Sequence, residues 1–135
     1  MPRCRSRGQH GSAVVDFVLV LAVLVPVVLG ILQVALVMLV RNTLAAAASE
    51  GARYAATADR GPADGVALTR EQIDGAISGR FAQDVSVRRV LVDGAPAIEI
   101  TVHARVPALG LGGPSVDLVV SGRAIEEDVL EEASP

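Results

Sequence analysis

The stretch DFVLVLAVLVPVVLGILQVALVMLVR, residues 16–41, opens on Asp16, closes on Arg41 and carries no charge between them. The uncharged run from Phe17 to Val40 is about 24 residues, or roughly 36 Å of helix, slightly more than the ~30 Å hydrocarbon core of a bilayer. A buried helix of a soluble domain is usually shorter, so the stretch predicts a single transmembrane helix. Three of its residues depart from a plain anchor. Pro26 lacks an N–H and crowds the carbonyl of Ala22, which favours a local bend. Gly30 lets another helix approach closely, and Gln33 puts an amide in hydrocarbon, where a hydrogen bond to a neighbouring helix is worth ~0.6–2 kcal/mol. Single-pass helices also tolerate all three, and both readings stand at this point.

On the N-terminal side, Arg3, Arg5 and Arg7 precede the span, whereas Arg41 is a lone cation on the far side. The positive-inside rule therefore places the N-terminus in the cytoplasm and the C-terminal part outside. Composition agrees with one membrane segment plus one small domain. The chain has 135 residues, 51% of them hydrophobic and 20% charged, with a mean hydropathy of +0.48. Aromatics are only 2%, Trp is absent and the net charge is -3. That excludes a nucleic-acid partner on two counts, because stacking platforms need aromatic faces and phosphate binding needs a basic footprint. The single Cys4 excludes an internal disulfide framework or a cysteine-based metal cluster.

On the C-terminal side, RNTLAAAASEGARYAATA continues without Pro and is rich in Ala, the best helix former. Leu44, Ala48, Gly51, Ala55 and Ala58 fall on one face, so the helix is expected to leave the bilayer and run to about Ala58, with a stripe of small residues suited to close packing. Asp59-Arg60-Gly61-Pro62 reads as its stop. A second helix is expected over Thr69–Phe81, with Thr69 as N-cap and Ile73, Ile77 and Phe81 as its buried face. Val85, Val87 and Val90–Val92 then lead into Asp93-Gly94, a hairpin signal. Ala97–Val106 alternates as a half-buried strand, with Ile98, Ile100, Val102, Ala104 and Val106 on one side and Glu99, Thr101, His103 and Arg105 on the other. Val116–Ile125 is a third strand, and EEDVLEEASP is an acidic tail. The expected fold class is α+β. A basic leader (1–11) precedes a transmembrane and extended helix (12–58), then a small extracytoplasmic head with a short helix and an antiparallel sheet of about three strands (59–125), and the acidic tail (126–135). A head of this size is marginal alone and is expected to lean on the extended helix or on neighbouring subunits.

The leader boundary, HGSAVVDF ahead of the apolar run, resembles the processing site of type IV prepilin-like proteins. GILQ at Gly30–Gln33 and the following RNTLAAAASEGARYAA narrow the likeness to TadE-like proteins of tight-adherence (Tad/Flp) pilus systems, over about Gly11–Ala56. The resemblance implies a minor pilin-like (pseudopilin) structural or assembly component of such a pilus or a related secretion apparatus. It implies a prepilin peptidase cutting after Gly11, so that Ser12 is first in the mature chain, Asp16 fifth and Phe17 sixth. Asp16 stands where the family typically has Glu, Gln33 where it often has Glu, and Pro26 about one turn later than usual. The cut would create an ammonium on Ser12, four residues from Asp16 and on the same helix face, and in pilin-like assemblies such a pairing is thought to set subunit register. Without the resemblance, Asp16 reads as the aqueous boundary of the span. The implied partners are the bilayer, the peptidase and other pilin-like subunits, with the protein resident in the cytoplasmic membrane. Close helix packing is expected at Gly30, Gln33, Ala48, Gly51 and Ala55.

Enzymatic chemistry has little support in the residues. His10 falls in the leader, His103 faces outward on a strand, and neither is accompanied by a serine motif, a metal-spaced pair or a phosphate loop. No cofactor is expected, and the carboxylates after Ile125 resemble a solvated tail. Two other readings compete with the pilin-like one. An unprocessed single-pass protein would use its extracytoplasmic head to bind another envelope protein. A secreted protein cut near Ala46–Ala48 would need a far shorter apolar run, of about 7–15 residues.

Overall fold

The computed structural model describes residues 9–77, 79–110 and 113–127. The leader arginines, Cys4 and the acidic tail beyond Glu127 lie outside the described residues. In chain order the elements are α1 (Gln9–Ala55), α2 (Pro62–Ala76), a 3-10 turn (Gly79–Phe81), β1 (Ala82–Val92), β2 (Ala95–Pro107), a second 3-10 turn (Ala108–Gly110) and β3 (Ser115–Ile125). The chain divides into two units, one reaching to Ala35 and one beginning at Leu36.

The described part of the first unit is helix alone, and α1 continues through Pro26. Its side chains are exposed all round, from Val14 through Val23 to Leu32. A helix apolar on every side has no polar face to turn toward water, and this one is long and apolar enough to cross a membrane.

The second unit is an α+β head. Its sheet is antiparallel in the order β1-β2-β3, with β2 at the centre. Asp93 (φ 51°) and Gly94 (φ 86°) both adopt the left-handed region, as the two-residue turns that match strand twist require. The turn sets Val92 opposite Ala95 and carries the register back to Val85 opposite Val102, before a bulge between Ala82 and Asp84. Ile98, Ile100, Val102, Ala104 and Val106 face the core, where they meet Val40, Leu44, Ala48 and Ala52 of α1 and Ile73 of α2. Leu44 and Ile73 are among the largest fully buried side chains, each worth about 1.5–3 kcal/mol relative to exposure.

The helix boundaries differ from those expected, for local reasons. α1 ends at Ala55 rather than about Ala58, with the Ala56 N–H shared between the carbonyls of Ala52 and Arg53. The Thr57 hydroxyl donates to the Tyr54 carbonyl, and the Arg60 guanidinium lies 4.2 Å over the Tyr54 ring. The same Gly61-Pro62 that stops one helix starts the next. Pro62 takes the first helical position, where its missing N–H costs nothing, and the Gly61 N–H donates to the Asp64 carboxylate at 2.9 Å. Thr69 is therefore no cap. It sits fully buried in mid-helix, its hydroxyl donating to the Gly65 carbonyl at 2.8 Å. The helix is finished by Ala76, where the Ile77 N–H caps the Ile73 carbonyl, and Phe81 reaches the core from the 3-10 turn instead.

Candidate processing site and packing face

Gly11 lies in the first turn of α1, where backbone N–H groups have no intrahelical acceptor. A Cβ placed on it would meet nothing within 4 Å. Ser12, Asp16 and Phe17 follow on the helix, all exposed. The four residues thus occupy one accessible helix start that leads directly into the apolar stretch.

Gly30 and Gln33 stand farther along the first unit. A Cβ on Gly30 would also meet open space, and Gln33 is half-buried. Ala48, Gly51 and Ala55 belong to the head, and each is buried there. A Cβ on Gly51 would collide with the Thr69 hydroxyl and come within 2.7 Å of the Gly65 carbonyl oxygen. One on Gly65 would lie 2.5 Å from the Gly51 carbonyl oxygen and 2.6 Å from the Ala55 Cβ. α1 and α2 therefore meet backbone to backbone, and the small-residue stripe is spent on contacts inside the subunit. Gly122 of β3 does the same toward α1, since a Cβ there would lie 2.5 Å from the Ala48 carbonyl carbon and against the Ser49 nitrogen. Ala58, the last residue of the expected stripe, lies past the helix end and is exposed.

Sequence alternation puts Glu99 on the outer face of the sheet, and there it is, but it is only 1% exposed. Arg88 of β1 and Arg123 of β3 stand directly across from it on either side. The Arg88 Nε donates to Glu99 Oε1 at 2.5 Å, and the Arg123 Nε donates to Oε2. The hydrogen bond from Arg123, followed by that from Arg88, holds the Glu99 carboxyl below the usual carboxylate range, against the opposing effect of its burial. Half of this triad could have been found by counting, because Arg88 and Glu99 are equidistant from the Asp93-Gly94 turn. His103 is exposed on the same face. Among the described residues, no three His, Cys, Asp or Glu side chains gather in a way that could hold a metal.

Comparison with known proteins bears on the first of these regions. Residues 11–53 match the family described as TadE-like protein. This is a TadE-like segment. It begins at Gly11 and includes the whole apolar stretch and the helix up to Arg53, so the TadE-like segment carries both the exposed helix and most of the small-residue stripe. The match points to a Tad pilus-associated, pilin-like component, and the exposed apolar helix fits a single-pass membrane protein of such a system. No curated protein and no solved structure matches the chain.

Proposed function

We propose that this chain is a minor pilin-like subunit of a Tad/Flp-type pilus or related secretion apparatus, anchored by α1 and cut by a prepilin peptidase after Gly11. The observation that carries the reading is a coincidence of position. The Gly11-Ser12 bond, Asp16 and Phe17 stand at the accessible start of an exposed apolar helix, and the TadE-like match begins at Gly11.

The physical chemistry is consistent. A protease takes its substrate extended, so the bond it cuts must leave the helix. In the first turn that unwinding disturbs few hydrogen bonds, and glycine resists it least, having no Cβ and costing roughly 0.5–1 kcal/mol relative to Ala inside a helix. Cleavage exchanges the basic leader for one ammonium on Ser12. That ammonium, within the chain or from a neighbouring subunit, offsets the Asp16 carboxylate, which is costly beside hydrocarbon without a partner. Arg3, Arg5 and Arg7 keep the leader cytoplasmic before the cut and put the head outside.

The mature N-terminus tests this directly. With the cognate peptidase present, sequencing should begin at Ser12, and Gly11→Leu should leave a precursor heavier by the leader. Reading from Met1 or Pro2 instead would favour the unprocessed anchor whose head binds another envelope protein. If cleavage occurs, Asp16→Asn should insert in the membrane at normal levels yet assemble poorly with other pilin-like subunits.

A further inference from the structure

The two ends of the sheet differ in chemistry. At the hairpin end stand Arg89 and Asp93, and the Arg89 guanidinium pairs with Glu126 at 3.0 Å. At the other end, where β2 passes into β3, residues 106–116 carry no charge. β1 begins only at Ala82, opposite Ala104, so this end belongs to β2 and β3 alone. The Ala108 N–H donates to the Pro114 carbonyl at 2.9 Å and ties the connection together. Leu109 stands on it with φ 49°, a left-handed position usually filled by Gly, Asn or Asp. Leucine holds it here, and Leu109 and Val116 are both exposed.

Two contacts give the height of this end along α1. Gly122 lies against the backbone of Ala48 and Ser49, and the Glu127 N–H donates to the Ala56 carbonyl at 3.0 Å. The climb from Gly122 to Glu127 therefore matches the climb from Ala48 to Ala56. An equal step the other way brings Asp117 level with Val40, where the uncharged run of α1 ends. Asp117 and its partner Arg105, 2.9 Å apart, are the charged residues nearest this end of the sheet, and Arg41 is the first charge on α1 beyond the run. Leu109 and Val116 lie farther down, beside residues 36–39. Burial agrees, because Leu36 and Val37 are the first residues of α1 packed against the head core.

Residues 17–40 make roughly 36 Å of helix against a hydrocarbon core of ~30 Å. With the core beginning at Phe17, the surplus of roughly four residues is 37–40, the level of the uncharged end of the sheet. We infer that the β2–β3 connection is a second membrane contact, in which Leu109 and Val116 enter the outer leaflet between headgroups and acyl chains, beneath the Arg105–Asp117 pair. The occupant is the lipid of the bilayer that α1 crosses. Apolar side chains at such a boundary sit ~5–10 Å into it while charged ones stay with the headgroups, which is the layering seen here. The contact holds the head against the membrane and needs no second copy of the chain. It rests on the anchoring of α1 proposed above, and not on cleavage after Gly11.

The chain contains no Trp, so a single introduced Trp reports its own surroundings. The test uses the full-length protein in phosphatidylcholine vesicles whose acyl chains carry bromine, a contact quencher, either near the headgroup or near the chain end. With bromine near the headgroup, Leu109→Trp and Val116→Trp should be quenched several-fold more than Leu91→Trp, an exposed position near the hairpin. Bromine near the chain end should quench them less. Leu29→Trp, close to the middle of the uncharged run, should show the reverse preference and reports the span independently. If Leu29→Trp is quenched while neither Leu109→Trp nor Val116→Trp exceeds Leu91→Trp, the inference is overturned and the anchor stands. No quenching at Leu29→Trp overturns both. Blue-shifted emission at Leu109→Trp and Val116→Trp without bromine quenching overturns the inference in favour of a protein partner. Equal quenching at Leu91→Trp overturns it in favour of a head lying flat on the surface.

Discussion

The two stretches of α1 on either side of Leu39 belong to one helix, yet they are built from different side chains for different surroundings. From Val14 to Leu39 the residues are mainly Val and Leu, and most stand exposed. From Val40 to Ala55 Ala is the commonest residue, and the buried face is lined by Leu44, Gly51 and alanines. Bulky side chains suit a lipid surrounding, which accommodates any shape and needs only apolar area. Small ones suit a protein surrounding, where a second backbone must come close.

Glycine substitution breaks the comparison most severely. Gly122→Val would force a branched side chain into the backbone of Ala48 and Ser49, which neither rotamer choice nor side-chain movement relieves. Overpacking against backbone should cost about 3 kcal/mol or more, enough to unfold a small head. Gly30→Val adds a larger side chain where nothing lies within 4 Å and should change head stability by less than about 0.5 kcal/mol. Limited proteolysis of both variants in the same detergent measures the difference. Equal protease resistance would mean that the close approach of β3 to α1 is not what holds the head.

The next contrast is between two leucines of one helix. Leu44 is 0% exposed and Leu24 is 51% exposed. Leu44→Ala removes buried volume from a packed core and should destabilise the head by about 2–5 kcal/mol. Leu24→Ala should leave head unfolding unchanged to within about 0.5 kcal/mol. Urea titration in micelles, followed by a probe in the sheet, distinguishes them. A comparable loss from Leu24→Ala would mean that the first stretch also supports the head.

How much of this was legible in the sequence follows the range of the interactions. The apolar run, the Asp93-Gly94 hairpin and the alternation of β2 are local patterns, and the fold class follows from them. The start of α2 was hidden because Gly61-Pro62 both ends one helix and begins the next, and because Thr69 imitates an N-cap. Thr69 is placed instead by Gly51, a tertiary contact that no window of local sequence reveals. The destination of the stripe through Ala48, Gly51 and Ala55 was hidden for the same reason. Small residues announce close approach, but Gly65 and Gly122, distant in sequence, are what approach them. The partner of Glu99 on β1 was within reach by counting outward from the turn, whereas Arg123 depends on the β2–β3 register, which the long Gly/Pro connection leaves open.

The smallest expected effect concerns the outer face of the sheet, where alternation alone assigns Glu99 to water. Two arginines instead cover it, while their own side chains remain 69% and 57% exposed. Because the cations are already solvated on one side, Glu99→Gln should cost only about 1–2 kcal/mol at neutral pH, less than removal of one partner from a fully buried pair. The effect should depend on pH with a definite sign. The folded carboxyl titrates below its usual value, and the unfolded one near the ordinary ~4.3. Around that pH the unfolded chain therefore binds more protons, and stability falls as pH falls. The contribution of Glu99 is complete above about pH 5 and is lost as the pH drops through the folded value. Urea midpoints of the wild type and of Glu99→Gln should differ at pH 7 and converge toward pH 3, with the wild type carrying the steeper pH slope. Parallel slopes would mean that the Arg88 and Arg123 contacts do not hold the carboxyl ionised, and that Glu99 behaves as the solvated outer-face residue that its position in the alternation describes.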